Sequence, residues 1–149
     1  RLMIIRSLDQ LNLLSKKIAD RLRKNDYIFL IGEIGTGKTT FTRYLINYLQ
    51  KKEGKKITEV LSPTFNILYE YDFKKFKIMH YDLYRIKKEK ELNHLGIFSD
   101  NKTNIRIIEW PDLIKKRLSN KLEIYLDYTK NQTERKVRFI GSGKWKNFK

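Results

Sequence analysis

With 149 residues, 40% of them hydrophobic and 13% aromatic, the chain is long and apolar enough to bury one real core, which excludes a disordered segment. It has no cysteine and two histidines, His80 and His94, which excludes disulfides and thiolate metal centres and leaves a hard ion held by oxygen as the metal to expect. A net charge of +16 points to an acidic partner, nucleic acid first, or else to a lysine-rich surface without one, because the cations are spread through short runs such as "KKEGKK", "KKFK" and "KWKNFK".

The segment "LMII", residues 2–5, reads as a short strand. Ser7 fits a helix N-cap with Gln10 at capping-box spacing, and Leu11, Leu14, Ile18 and Leu22 follow at helical intervals. "YIFLI", Tyr27 to Ile31, is continuously apolar, the pattern of a strand covered on both faces as in a parallel sheet. After the loop that follows, Phe41, Tyr44, Leu45, Tyr48 and Leu49 give a helix to about Gln50. Asn66 to Asp72 and Lys77 to Tyr81 read as two strands around a basic turn, an antiparallel hairpin. "KEKELNHLGI" reads as a short helix ended by Gly96, and Ile105 to Ile108 as a second buried strand ending at Glu109. Pro111 suits the first turn of a helix carrying Leu113, Ile114 and Leu118. "KLEIYLDY" and "ERKVRFIGSG" are late strands. No repeat or linker divides the chain, so residues 1–149 are expected to form a single domain. No apolar run approaches the roughly 20 residues that span a bilayer, and the first residues lack the core of a signal peptide, so the cytoplasm is the expected location.

The loop between the first buried strand and the second helix carries the chemistry. Gly32-Glu33-Ile34-Gly35-Thr36-Gly37-Lys38-Thr39 matches G-x-x-x-x-G-K-[ST], with Thr40 following. The glycines allow a tight turn whose N–H groups aim at phosphate oxygens, and the helix start adds its positive end. Lys38 can reach the β- and γ-phosphates, and the Thr39 hydroxyl can ligate Mg²⁺. Such a loop needs an acid at the end of a neighbouring strand. "KIMHYD" offers Asp82 and "IRIIEW" offers Glu109, each at the end of an apolar run where a strand meets the ligand face. One would hold Mg²⁺ and the other orient the attacking water; the sequence does not divide those roles. In "SPTF", Ser62 to Phe65, Thr64 is either a sensor of the γ-phosphate or part of an ordinary Ser-Pro turn. Arg85 is either a phosphate-sensing base or a salt-bridge partner of Asp82, and Trp110 either stacks on something or packs in the core.

Taken together, "GEIGTGKTTFTR", "SPTFNILYEY", "HYDLYRI", "ELNHLGI", "IIEWPD" and "ERKVRFIGSG" resemble, in order, the motifs of the bacterial TsaE family over nearly the whole chain. The resemblance implies an α/β fold, the three-layer P-loop NTPase architecture with a mainly parallel central sheet plus an antiparallel hairpin. It implies a Mg²⁺-dependent ATPase whose hydrolysis of ATP serves TsaD and TsaB in the threonylcarbamoylation of adenosine 37 of tRNAs reading ANN codons. Contact with tRNA would be indirect or weak. By position, Lys38 and Thr39 would be the phosphate and Mg²⁺ residues, Thr64 the switch threonine, Asp82 the catalytic aspartate, and Glu109 the metal-associated glutamate. Glu33, Ile34, Gly35, Thr36, Gly37, Thr40, Trp110 and Arg135 would complete the nucleotide site. Tyr81 stands where the family has Phe, and Leu11 near a position that often carries Thr beside the adenine, so the base pocket stays unassigned. A small kinase of a metabolite or nucleoside is the alternative reading of the same loop.

Overall fold

The computed structural model describes residues 2–148. A seven-stranded sheet runs through the molecule, made of β1 (Leu2–Ile5), β2 (Tyr27–Ile31), β3 (Leu68–Asp72), β4 (Lys77–Asp82), β5 (Asn104–Glu109), β6 (Lys121–Tyr128) and β7 (Arg135–Gly141). Their order is β1-β7-β6-β2-β5-β4-β3. The inner four, β6, β2, β5 and β4, are mutually parallel, while β7, β1 and β3 add antiparallel edges. The β3–β4 pair is the hairpin expected around the basic turn, and the mainly parallel α/β architecture holds.

Helices α1 (Leu8–Arg21) and α2 (Lys38–Lys52) pack side by side on one face. In α1 the Ser7 hydroxyl accepts from the Gln10 N–H at 3.2 Å, and the Gln10 side chain accepts in turn from the Arg6 N–H at 2.6 Å, a near-relative of the reciprocal capping box. In β2, Ile28 and Leu30 face these helices while Tyr27 and Phe29 face the opposite layer. That alternation is why the strand reads as apolar throughout.

Among the described residues, no α-helix covers the opposite face. The segment expected to be helical, Glu89–His94, is a 3₁₀ turn. Its buried Leu92 is followed three residues later by half-buried Leu95, which suits three residues per turn better than 3.6. After Pro111 the helical geometry lasts only to Leu113, and Ile114 is already extended. The hairpin begins at Leu68, not Asn66, because Ile67 has φ 69°, a left-handed backbone that cannot continue a strand. The C-terminal run read only as basic supplies core instead: Trp145 is fully buried, and Phe148 packs against it and Phe139. Among the described residues, no helix is long and apolar enough to cross a membrane.

The consequence for the site is positional. All four parallel strands end on the same side of the sheet, at Ile31, Asp82, Glu109 and Tyr128. That rim is where open α/β sheets present ligand-binding groups.

Candidate functional site

The loop from Gly32 to Gly37 leaves the end of β2 and enters α2 at Lys38. Gly35 and Gly37 have φ of 84° and 113°, backbone that side chains other than glycine adopt at a cost. Gly37 caps α2 without any side-chain hydrogen bond, so the first N–H groups of the helix stay available to an anion. Several of the loop's carbonyls are held by side chains that follow or flank the turn. Lys38 Nζ donates to the carbonyls of Gly32 at 2.5 Å and Glu33 at 3.0 Å. The Tyr128 hydroxyl donates to Ile34 O at 2.6 Å. Arg135 Nε donates to Thr36 O at 3.2 Å, and its Nη2 to Gly35 O at 3.4 Å. With its carbonyls held this way, the loop can turn N–H groups to the concave side, the Thr36 N–H excepted, which donates to Glu33 O at 3.3 Å.

That concave side opens on a cavity of about 220 Å³ lined by Ile34, Gly35, Gly37, Lys38, Thr39, Thr40, Ser62, Thr64, Asp82, Glu109 and Trp110. Asp82 and Glu109 are register partners on adjacent parallel strands and are both buried, so the two carboxylates enter the cavity side by side. Asp82 accepts from the Thr64 hydroxyl at 2.9 Å and from the Tyr84 N–H at 2.9 Å. Thr64 itself lies 2.8 Å from the Ser62 hydroxyl. The Asp82 N–H also donates to Ile67 O at 2.9 Å, so "SPTF" is tied to the end of β4 by backbone as well as side chain. Glu109 accepts from the Thr39 hydroxyl at 3.3 Å and meets His80 Nε2 at 2.7 Å.

Lys38 is buried, which pushes its ammonium below the ordinary lysine range, and the Glu109 and Asp82 carboxylates pull it back up. Its Nζ lies 4.5 Å from the centre of the Trp110 ring. Trp110 also meets Tyr84 at 4.9 Å and has φ 56°, a strained left-handed backbone that turns the chain sharply between Glu109 and Pro111. Trp110 is therefore a wall of the cavity and not a core residue; the core tryptophan is Trp145.

Metal fit can be judged from the donor set. Among the described residues, no cluster of three or more His, Asp or Glu side chains could hold a metal ion. Thr39 and Glu109 instead offer one hydroxyl and one carboxylate together, which suits Mg²⁺ completed by water and phosphate oxygens.

Most of the residues singled out in the sequence share this one cavity, but four lie elsewhere. Thr36 is buried, donates its hydroxyl to Glu33 O at 2.8 Å and lines the neighbouring cavity instead. Arg135 lies on the far side of the loop and lines a second cavity of about 350 Å³ with Leu11, Gln132, Thr133 and Thr40. Glu33 contributes its carbonyl to the loop. Arg85 forms no ion pair with Asp82 among the described residues and lies over the Phe65 ring at 5.3 Å. Two residues went unread in the sequence. Tyr128 ends "KLEIYLDY", a strand-end aromatic with nothing local to mark it. His80 had a signal, a polar residue alone inside the buried run "KIMHYD".

Residues 5–137 match the family model described as "Threonylcarbamoyl adenosine biosynthesis protein TsaE". The chain is similar to the "tRNA threonylcarbamoyladenosine biosynthesis protein TsaE" of Rickettsia conorii, 40% identical over 119 residues, 79% of this chain and 66% of that protein. It is 41% identical to the protein of that name from Rickettsia prowazekii over 70% of each chain, and 31% identical to the one from Bacillus subtilis over 87% of this chain and 78% of that one. The chain thus spans about two thirds of the length of the rickettsial relatives it matches. In fold it is similar to the crystal structure of Bacillus subtilis YdiB, with a TM-score of 0.69 over 96% of this chain and 86% of that one, at 24% identity. The motifs, the sheet and these matches lead to one statement: the chain belongs to the TsaE family.

Proposed function

We propose that this chain is a Mg²⁺-dependent ATPase whose turnover serves TsaB and TsaD in threonylcarbamoylation of adenosine 37 of tRNAs reading ANN codons. The observation that carries the reading is the pair of buried acids, Asp82 and Glu109, side by side at neighbouring strand ends and facing a complete phosphate loop. The relatives' printed names supply the pathway.

In this reading the triphosphate lies along the loop's N–H groups, and Lys38 exchanges its two carbonyl partners for phosphate oxygens. Thr39 and Glu109 hold Mg²⁺, which when bound neutralises phosphate charge. Asp82 takes the proton side of the attacking water and orients it. Thr64, bonded to Asp82, links the position of that acid to the γ-phosphate. The cavity bounded by Arg135, Leu11 and Thr40 receives the base, since it shares Gly35, Gly37 and Thr40 with the phosphate cavity. Contact with tRNA runs through the partners, with weak direct contact along the α1–α2 groove lined by Lys16, Lys51, Lys52, Tyr44 and Tyr48, where amines and aromatic faces adjoin.

Tyr128→Phe tests the loop's outer brace. Losing its bond to Ile34 O should weaken ATP binding about fivefold, the worth of one hydrogen bond of about 1 kcal/mol, and leave kcat unchanged. Titration with a fluorescent ATP analogue reads this, and unaltered affinity would remove Tyr128 from the site. The function as a whole is tested by reconstitution. Multiple-turnover formation of threonylcarbamoyladenosine by TsaB and TsaD should need both this chain and ATP hydrolysis by it. Product formed equally well without the chain would defeat the proposal.

A further inference from the structure

We infer that His80 is a positioning residue that fixes the Glu109 carboxylate for its work on Mg²⁺. The inference rests on the reading of Glu109 as the metal-associated acid and adds a residue to which neither the motifs nor the family match gave a role.

His80 sits two residues before Asp82 on β4 and so points to the same face of the sheet. It is fully buried and is not among the residues lining the phosphate cavity, so it lies beneath the site. Its neighbours on that face, Ile78 and Ile107, are wholly buried members of the apolar core. An imidazole in that layer is expensive unless its polar atoms are satisfied, and a leucine would fill the space without that cost. The ring is satisfied at one place only. Nε2 meets Glu109 Oε2 at 2.7 Å, while Nδ1 is buried with no hydrogen-bond partner among the described residues. A carboxylate accepts, so the ring hydrogen is committed to Glu109.

From the side of Glu109 the asymmetry is the same. Among the described residues its carboxylate meets His80 at 2.7 Å and the Thr39 hydroxyl at 3.3 Å, both on Oε2. The shorter contact comes from a ring locked in a sheet, the longer from a hydroxyl that the metal would claim. His80 therefore selects the glutamate's conformation before Mg²⁺ arrives and keeps it when Thr39 turns to the ion. Second partners of metal-binding groups act in this way, and their loss typically costs about 10–100-fold in metal affinity or activity.

The geometry makes an unusual demand on substitutions. His80→Gln can place an amide nitrogen where Nε2 was. His80→Asn is shorter and places its nitrogen near the Nδ1 position, which has no partner. His80→Leu supplies packing alone. The full chain carrying each change would be titrated with Mg²⁺, reading both the Mg²⁺-dependent binding of a fluorescent ATP analogue and ATP turnover. We expect the Mg²⁺ midpoint to rise about 10–100-fold in His80→Leu and His80→Asn, and to stay near the parent's in His80→Gln. In the nucleotide-free parent, the His80 Nε2–H should give a slowly exchanging proton resonance in NMR that disappears in Glu109→Ala. If His80→Leu does not fold, the comparison of His80→Gln with His80→Asn still decides. Equal Mg²⁺ midpoints in those two, or an unshifted His80→Leu, would overturn the inference. Glu109→Gln separates the two readings. A raised midpoint there with unshifted His80 variants sinks only the role of His80, whereas an unchanged midpoint in Glu109→Gln sinks the role of Glu109 and this inference with it.

Discussion

Asp82→Ala should lower ATP turnover by about 10²–10⁴-fold, the range for removing a positioned acid or base, while leaving ATP affinity close to that of the parent protein. The separation follows from what Asp82 touches. Its carboxylate is engaged by the Thr64 hydroxyl and the Tyr84 N–H, and among the described residues it forms no hydrogen bond to the phosphate loop. Removing it frees Thr64 and the attacking water but leaves the loop's N–H groups and Lys38 in place. Asp82→Asn keeps an acceptor for Tyr84, so the local fold should survive, yet the water loses its basic partner. Single-turnover hydrolysis and nucleotide titration measure the two effects apart. Normal turnover in Asp82→Ala would mean that Asp82 does not orient the water.

Lys38→Ala should have the opposite signature, with ATP affinity reduced at least about 100-fold, since two charge-assisted hydrogen bonds to phosphate are worth about 1.5–3 kcal/mol each. Isothermal titration reads this directly. The nucleotide-free protein should also be less stable. Burial holds the Lys38 ammonium below its ordinary range and the carboxylates of Glu109 and Asp82 oppose that shift, so removing the lysine leaves two buried acids without their cation. The carbonyls of Gly32 and Glu33 lose their donor as well. A loss of about 1–3 kcal/mol is expected from groups left unpaired in this way. Lys38→Met, which restores the apolar stem and its packing near Trp110, should recover little of it, because the deficit is electrostatic. Undiminished ATP affinity in Lys38→Ala would remove the lysine from the phosphate site.

The elements legible in the sequence were those whose physics is local. A continuous apolar run marked β2, the Ser7–Gln10 spacing marked the start of α1, and the glycine spacing marked the phosphate loop. A single strand-end acid is as often a helix cap or a surface charge, but two of them beside a phosphate loop, Asp82 and Glu109, stood out as a pair. Misreadings came where tertiary packing decides. The segment around Leu92 is a short 3₁₀ turn whose period of three resembles that of a helix in the sequence. Ile67, a β-branched residue in left-handed backbone, breaks the expected strand only because its carbonyl and N–H are held by Asp82 and Pro63. Trp145 and Phe148 were masked by their lysine neighbours, although aromatics between lysines can turn inward while the amines stay wet. Tyr128 and Arg135 reach the loop from about 100 residues away in sequence, through the β6–β7 pairing that sets them opposite each other. No local pattern encodes that.

The central claim is that phosphate gripped by this loop is hydrolysed for a partner and is not donated to a small molecule. The most direct measurement is ATP consumption by the purified chain, alone and with TsaB and TsaD, with the products identified. Slow hydrolysis alone, faster hydrolysis with the partners, and ADP and inorganic phosphate as the only products are the predicted result. ATP consumption that appears only on adding a metabolite or nucleoside, and that yields its phosphorylated form, would contradict it.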